Sequence, residues 1–265
     1  MRLQADALHW RSHGRAAVVV EVTTTQGSVP RESGTRMLVA ADEVLGSVGG
    51  GHLELLAIAQ ARQMLAAAEL APQQTHYPLG PKLGQCCGGA LTLRFTPLTM
   101  DAPAAWPTPS PRFHLQLYGA GHVGRAIVKL LENIPCRVDW IDEREDQFPS
   151  GELPSHIQEV CVEPVEAEVT TAPPGAMFLV LTHSHDLDLA IAEAILKRGD
   201  FAFAGLIGSK TKAARFRHRF EARGLSPTLI DRLVCPIGLP GIAGKEPEVI
   251  ALAVVAQLLS LAPPA

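Results

Sequence analysis

Cys86 and Cys87 stand side by side in the stretch LGPKLGQCCGGALTLRF, followed by two glycines and an alternating run that reads as a strand. Adjacent thiols lack the C-x-x-C spacing of a zinc half-site or a thioredoxin motif. What that leaves is a single reactive or metal-binding sulfur in an approachable loop, suited to soft-metal or sulfur-transfer chemistry, or else a pair of small apolar residues of which one is packed away. A second cluster lies in LYGAGHVGRAIVKLL. Gly119, Gly121 and Gly124 form G-x-G-x-x-G around His122, between a predicted strand and helix, and Asp142 ends the next strand eighteen residues beyond Gly124. In that context the glycines give a tight turn, close approach of a pyrophosphate and helix–strand packing, and Asp142 is placed for a ribose hydroxyl pair. The segment LTHSHDLD offers His183, His185, Asp186 and Asp188 after a predicted central strand, as a metal or substrate site or as a capped, solvated loop.

Two further turns could hold an anion. Gly208, Ser209 and Lys210 open a helix, although the surrounding residues fail the P-loop pattern; Arg215, Arg217 and Arg219 behind them read equally as a solvated helix face. Gly49, Gly50 and Gly51 precede His52 and Glu54 at the start of another helix, where a tight strand-to-helix connection would use the same glycines.

The elements that must carry these residues fall into two unlike pieces. Residues 1–98 read as a small mixed α/β domain: a helix near residues 5–13, the β-branched run AAVVVEVTTT, a strand near residues 35–40, a helix from His52, and the strands THYPL and ALTLRF. Residues 99–112 hold Pro103, Pro107, Pro109 and Pro111 and read as a linker. From residue 113 to 265 strand and helix alternate, the pattern of a Rossmann-like parallel sheet covered on both faces, closed by an apolar helix from Glu246 that suits either a core or a dimer interface. The fold class expected is therefore α/β, a C-terminal Rossmann-like domain with a parallel sheet plus a smaller N-terminal mixed α/β domain.

Composition narrows the function. With 265 residues, 47% of them hydrophobic, a net charge of −4 and a pI near 6.2, the chain can fill a real core and shows no electrostatic footprint for nucleic acid or an anionic membrane. No run reaches the roughly 18 apolar residues of a membrane span, and the N-terminus lacks a signal-peptide core. Five scattered cysteines suit thiols in a reducing compartment, so the expected location is the cytoplasm.

Taken in order, GSVPRESGTRMLV, GSVGGGHLE, QCCGG, LYGAGHVGRAI, LTHSHDLDLAI, GLIGSKTKAARF and PIGLPGIAGKEPEVIALAVVAQLL resemble the xanthine dehydrogenase accessory proteins, the XdhC/CoxI family, over residues 27–258. The resemblance implies a chaperone that binds molybdenum cofactor (molybdopterin), supports its sulfuration with a cysteine desulfurase and delivers it to xanthine dehydrogenase. It implies cofactor contacts at Gly49, Gly50, Gly51, His52, Cys86, Cys87, Gly119, Gly121, His122, Gly124, Asp142, His183, His185, Gly208 and Lys210, with Cys87 or Cys86 as the molybdenum or sulfur ligand. It leaves open which cysteine acts, whether the Rossmann site holds the pterin or a dinucleotide, and whether the protein is a homodimer. A cleft between the domains is the expected shelter for a labile sulfido ligand. The competing reading is an NAD(P)-dependent oxidoreductase, for which no catalytic acid or base is identifiable; a third is an enzyme acting on the cofactor's phosphate.

Overall fold

The computed structural model of the protein describes residues 2–67, 71–79, 88–107 and 110–262. The chain divides into two compact units, residues 1–108 and 109–265. The first contains α1 (Arg2–Ser12), β1 (Ala17–Gln26), β2 (Arg36–Ala40), β3 (Val44–Gly46), α2 (Gly51–Ala66), β4 (Gln73–Pro78) and β5 (Ala90–Pro97). Its five strands form one antiparallel sheet in the order β3-β2-β1-β5-β4. The central strand explains the layering, because successive side chains of a strand face opposite sides. Val18, Val20 and Val22 enter the core that includes Leu53, Ala57 and Ala61 of α2, while Ala17 and Val19 join Ala7 and Trp10 of α1.

Glu21 is the one polar residue buried in that strand. Its register partners on both sides are arginines, Arg36 and Arg94, and both form ion pairs with it. The Arg36 guanidinium also lies 5.0 Å from the centre of the Trp106 ring. Within residues 99–112, the stretch expected to link the two pieces, contacts with the first unit run as far as Trp106. Leu98 and Pro103 are buried, Pro103–Ala105 forms a 3₁₀ turn, Gln4 Nε2 donates to the Pro103 carbonyl at 2.8 Å, and Trp106 Nε1 donates to Asp101 at 2.6 Å. The prolines suppress helix and strand periodicity without preventing packing.

The second unit contains β6 (His114–Tyr118), α3 (His122–Leu131), β7 (Arg137–Asp142), β8 (Ile157–Cys161), β9 (Met177–Val180), α4 (His185–Arg198), β10 (Phe203–Leu206), α5 (Lys210–Ala222), α6 (Pro227–Ile230), β11 (Leu233–Val234) and α7 (Pro247–Leu261). All six strands are parallel, in the order β11-β10-β9-β6-β7-β8. This is the doubly wound Rossmann order, whose direction of winding reverses between β6 and β9. Strands buried on both faces need continuous apolar runs, and MFLV and FAGL supply them. One face is covered by α3 and α7, the other by α4, α5 and a 3₁₀ segment, Val165–Thr170, that replaces a full crossover helix. The closing helix α7 buries Ala251, Val254, Val255 and Leu258 in the core it shares with α3. Among the described residues, no helix is long and apolar enough to cross a membrane.

Candidate functional site

The fingerprint glycines sit where the winding reverses, and each has its own reason. Gly119 has φ 116°, and a Cβ there would lie 2.3 Å from the Leu181 carbonyl oxygen. A Cβ on Gly124 would lie 2.1 Å from the Gly119 carbonyl oxygen, while one on Gly121 would meet nothing within 4 Å. Gly119 and Gly124 therefore serve close packing, and Gly121 keeps space open. Gly121 is the N-cap of α3 and offers no side chain to its first turn, whose amides carry the positive end of the helix dipole. Above this turn lies a groove of about 350 Å³, bounded by residues 121–124, by Arg144 and Gln147, and by residues 181–183 with Ile207. The size is at the lower end for small-molecule sites.

Asp142 ends β7 beside this groove but points inward. Its Oδ2 accepts from the Ala120 amide at 2.7 Å and from Arg144 Nη2 at 3.0 Å; its Oδ1 accepts from the Arg144 amide at 3.0 Å and Nε at 2.9 Å. Burial pushes its carboxyl upward, but the hydrogen bonds from Arg144 and from the Ala120 amide outweigh that and hold it below the ordinary carboxylate range. Arg125 completes the turn by donating to the carbonyls of Ala120 and Gln147. Arg144 was not singled out in the sequence; the signal was a cation two residues beyond the acid that ends the strand.

The H-x-H-D segment is split by the start of α4. His183 borders the groove and lies 3.6 Å from Glu143 Oε1, whereas His185 is exposed as the first residue of the helix. Ser184 caps the helix through the Leu187 amide, and Asp186 pairs with Arg219. Asp188 is sealed below: it accepts from the Thr182 amide at 3.0 Å and hydroxyl at 2.7 Å, and from Lys212 Nζ at 2.5 Å. Lys212 also donates to the Ile207 carbonyl at 2.9 Å. Gly208 makes room for this, since a Cβ there would lie 2.6 Å from Lys212 Cδ. In this turn the lysine with partners is Lys212, whereas Lys210 is exposed and Ser209 caps α5 through the Lys212 amide.

In the first unit Gly49, Gly50 and Gly51 all have positive φ, and His52 is exposed on α2. Glu54 folds back over the turn. Its Oε2 accepts from Ser47 Oγ at 2.5 Å and from the Val48 and Gly50 amides at 3.1 Å each. Part of the turn's anion-attracting backbone is thus spent on the protein's own carboxylate. Glu54→Ala is expected to cost about 1–2 kcal/mol in urea denaturation, with Glu54→Gln losing less because it still accepts. An unchanged midpoint for Glu54→Ala would show that the turn holds itself.

Cys86 and Cys87 lie outside the described residues. The glycines after them are described: a Cβ on Gly89 would lie 2.4 Å from the carbonyl oxygens of Gln26 and Ser28, so a side chain cannot be accommodated there. Of the other cysteines, Cys136 is buried, which pushes its thiol up to about 12, Cys235 is raised by partial burial, and Cys161 is exposed. Among the described residues no group of three or more His, Cys, Asp or Glu is placed to hold a metal ion.

Comparison with known proteins agrees with this architecture. Residues 115–258 match the family model described as the XdhC Rossmann domain, and residues 10–77 match that of the XdhC and CoxI family. The chain is 28% identical over 271 residues to the uncharacterized protein YqeB of Escherichia coli (strain K12); the match covers 98% of this chain and 46% of that protein. The chain thus spans less than half the length of this relative. A crystal structure at 2.80 Å described as a xanthine dehydrogenase from Bacillus halodurans aligns with a TM-score of 0.71 at 20% identity, over 97% of this chain and 95% of that one. That likeness is one of fold. Since the Rossmann model alone spans more than half of the residues, the chain belongs to the XdhC and CoxI family.

Proposed function

We propose that the chain is an accessory protein in xanthine dehydrogenase maturation, one that holds molybdenum cofactor, supports its sulfuration together with a cysteine desulfurase, and passes it to the dehydrogenase. The observation that carries this reading is the groove of about 350 Å³ over the uncapped start of α3, in a domain matched by the XdhC Rossmann model. Molybdenum cofactor is a pterin with a phosphate and a dithiolene-held metal. The phosphate suits the α3 amides, and the space that a Cβ on Gly121 would fill lets it approach. When bound, the cofactor supplies the metal and its sulfur ligands. The part of the second unit would be to hold the phosphate at residues 121–124 and to offer Arg144 and His183 along the groove walls, while a thiol of Cys86 or Cys87 has the softness that sulfur-transfer chemistry needs. The description of the Bacillus halodurans structure as a xanthine dehydrogenase points toward the same system.

The test is whether purified protein retains molybdenum cofactor and raises the activity of apo-xanthine dehydrogenase reconstituted with desulfurase present. Absence of both ends this reading. In the same assay the Cys86→Ala/Cys87→Ala variant is expected to lose about tenfold in retention or sulfuration with its melting midpoint unchanged. Wild-type levels of both would reduce the pair to packing. An NAD(P)-dependent oxidoreductase is the second reading, favoured by the Gly119, Gly121 and Gly124 turn, and a hydride-transfer assay decides it.

A further inference from the structure

We infer that Arg144 decides what the switch-point groove accepts: it withdraws Asp142 from any ribose diol and selects phosphorylated ligands whose other end presents hydrogen-bond acceptors. In a dinucleotide site the acid ending the second strand receives the two hydroxyl protons of a ribose. A carboxylate has about four lone-pair positions, and those of Asp142 are met by four donors, the Ala120 amide and the amide, Nε and Nη2 of Arg144. A diol arriving there finds no free acceptor. The carboxylate cannot simply swing out, because one of its donors belongs to the glycine turn itself. The arginine is also well placed to stay, since its loop is tied to the turn by Arg125, which bridges the Ala120 and Gln147 carbonyls.

Arg144 lines the groove, and its Nη1 has no partner among the described residues. It therefore offers donors where a dinucleotide needs acceptors. The neighbouring carboxylate, Glu143, lies 3.6 Å from His183 and, with Asp142, lines a slot of about 10 Å³ that adjoins the groove at Thr182 and His183 and is too small for a sugar while Arg144 holds Asp142. A ring carbonyl or a phosphate oxygen suits Arg144; a cis-diol does not. This inference concerns selectivity alone and stands apart from whether the ligand is the pterin cofactor.

Calorimetric titration of the full chain with NAD⁺ tests it. Wild type is expected to bind NAD⁺ weakly or not at all, and Arg144→Ala to bind it at least about tenfold more tightly, since two acceptor positions are released. The Asp142→Asn/Arg144→Ala variant is expected to lose that gain. Arg144→Gln, which cannot hold the carboxylate in the same forked way, carries the test if the alanine variant fails to fold, a point read from its thermal melt. Micromolar binding of NAD⁺ by wild type overturns the inference, as does a folded Arg144 variant with no gain, or a gain that survives loss of the Asp142 charge. Loss of cofactor retention in the maturation assay bears on the proposed function and leaves this result untouched.

Discussion

Gly124→Ala is expected to lower the stability of the Rossmann unit by about 3 kcal/mol, at the upper end of overpacking substitutions, because what it strikes is backbone. The new methyl group would stand 2.1 Å from the Gly119 carbonyl oxygen and 3.4 Å from Leu181 Cδ1. Neither α3 nor the turn gives way cheaply. The Gly119 oxygen accepts from the buried Trp140 indole Nε1 at 3.1 Å, the Gly119 amide donates to the Ile141 carbonyl at 2.8 Å, and α3 is packed against α7. Moving the oxygen by the ångström required would break the indole bond or tilt the helix out of the core. The control is Gly121→Ala, three residues earlier on the same turn, with open space around its Cβ and a φ of −71° that any residue adopts. It is expected to cost under about 1 kcal/mol, the difference between glycine and alanine at an N-cap, yet to intrude on the groove. Thermal melts followed by Trp140 fluorescence, with Trp10 and Trp106 replaced by phenylalanine, read the second unit alone. For a unit of this size the shift for Gly124→Ala is roughly 6–12 °C. A midpoint within about 2 °C of its parent would mean that the glycine is dispensable for the turn.

The contrast between these glycines shows what could be read from sequence. G-x-G-x-x-G between a strand and a helix fixes the backbone path, so the turn, the parallel sheet and the place of Gly121 at the start of α3 were all legible from local pattern. The fate of Asp142 was not. A side chain at a strand end is judged in sequence by its type, whereas its availability depends on which donors arrive first, and those came from Arg144 and from the turn itself. The same limit applies at Gly49, Gly50 and Gly51, where the loop reads as an anion seat until Glu54 is seen to occupy part of it. Strand β1 was plain from its β-branched run, but the antiparallel order around it depends on pairings between distant segments that no local periodicity records. The packing of residues 101–106 was hidden for a related reason. Proline hides regular structure from a periodicity search, and the contacts that fold this stretch, to Gln4 and Arg36, are remote in sequence.

Lys212→Met is expected to destabilise the Rossmann unit by about 3–5 kcal/mol, the usual cost of leaving one member of a buried ion pair uncompensated. Asp188 is 1% exposed and Lys212 11%, so neither charge has water to fall back on. After the substitution the Asp188 carboxylate keeps its bonds from Thr182 but loses the only cation paired with it among the described residues. The pair matters beyond its energy because of where its ends are attached. Asp188 holds the Thr182 amide at the end of β9, and Lys212 holds the Ile207 carbonyl at the end of β10. Thr182 and Ile207 line the groove, so the ion pair beneath them spaces two of its walls. Lys212→Arg is no substitute, since the side chain folds tightly over Gly208, whose absent Cβ marks the 2.6 Å of clearance. Asp188→Asn/Lys212→Met removes both charges while leaving the Thr182 contacts an acceptor, and it is expected to recover more than half of the loss. The double-mutant cycle then gives a coupling of at least about 2 kcal/mol. Urea denaturation of the four proteins measures it, and additive losses would show that the two side chains act separately and that the groove walls are held by other contacts.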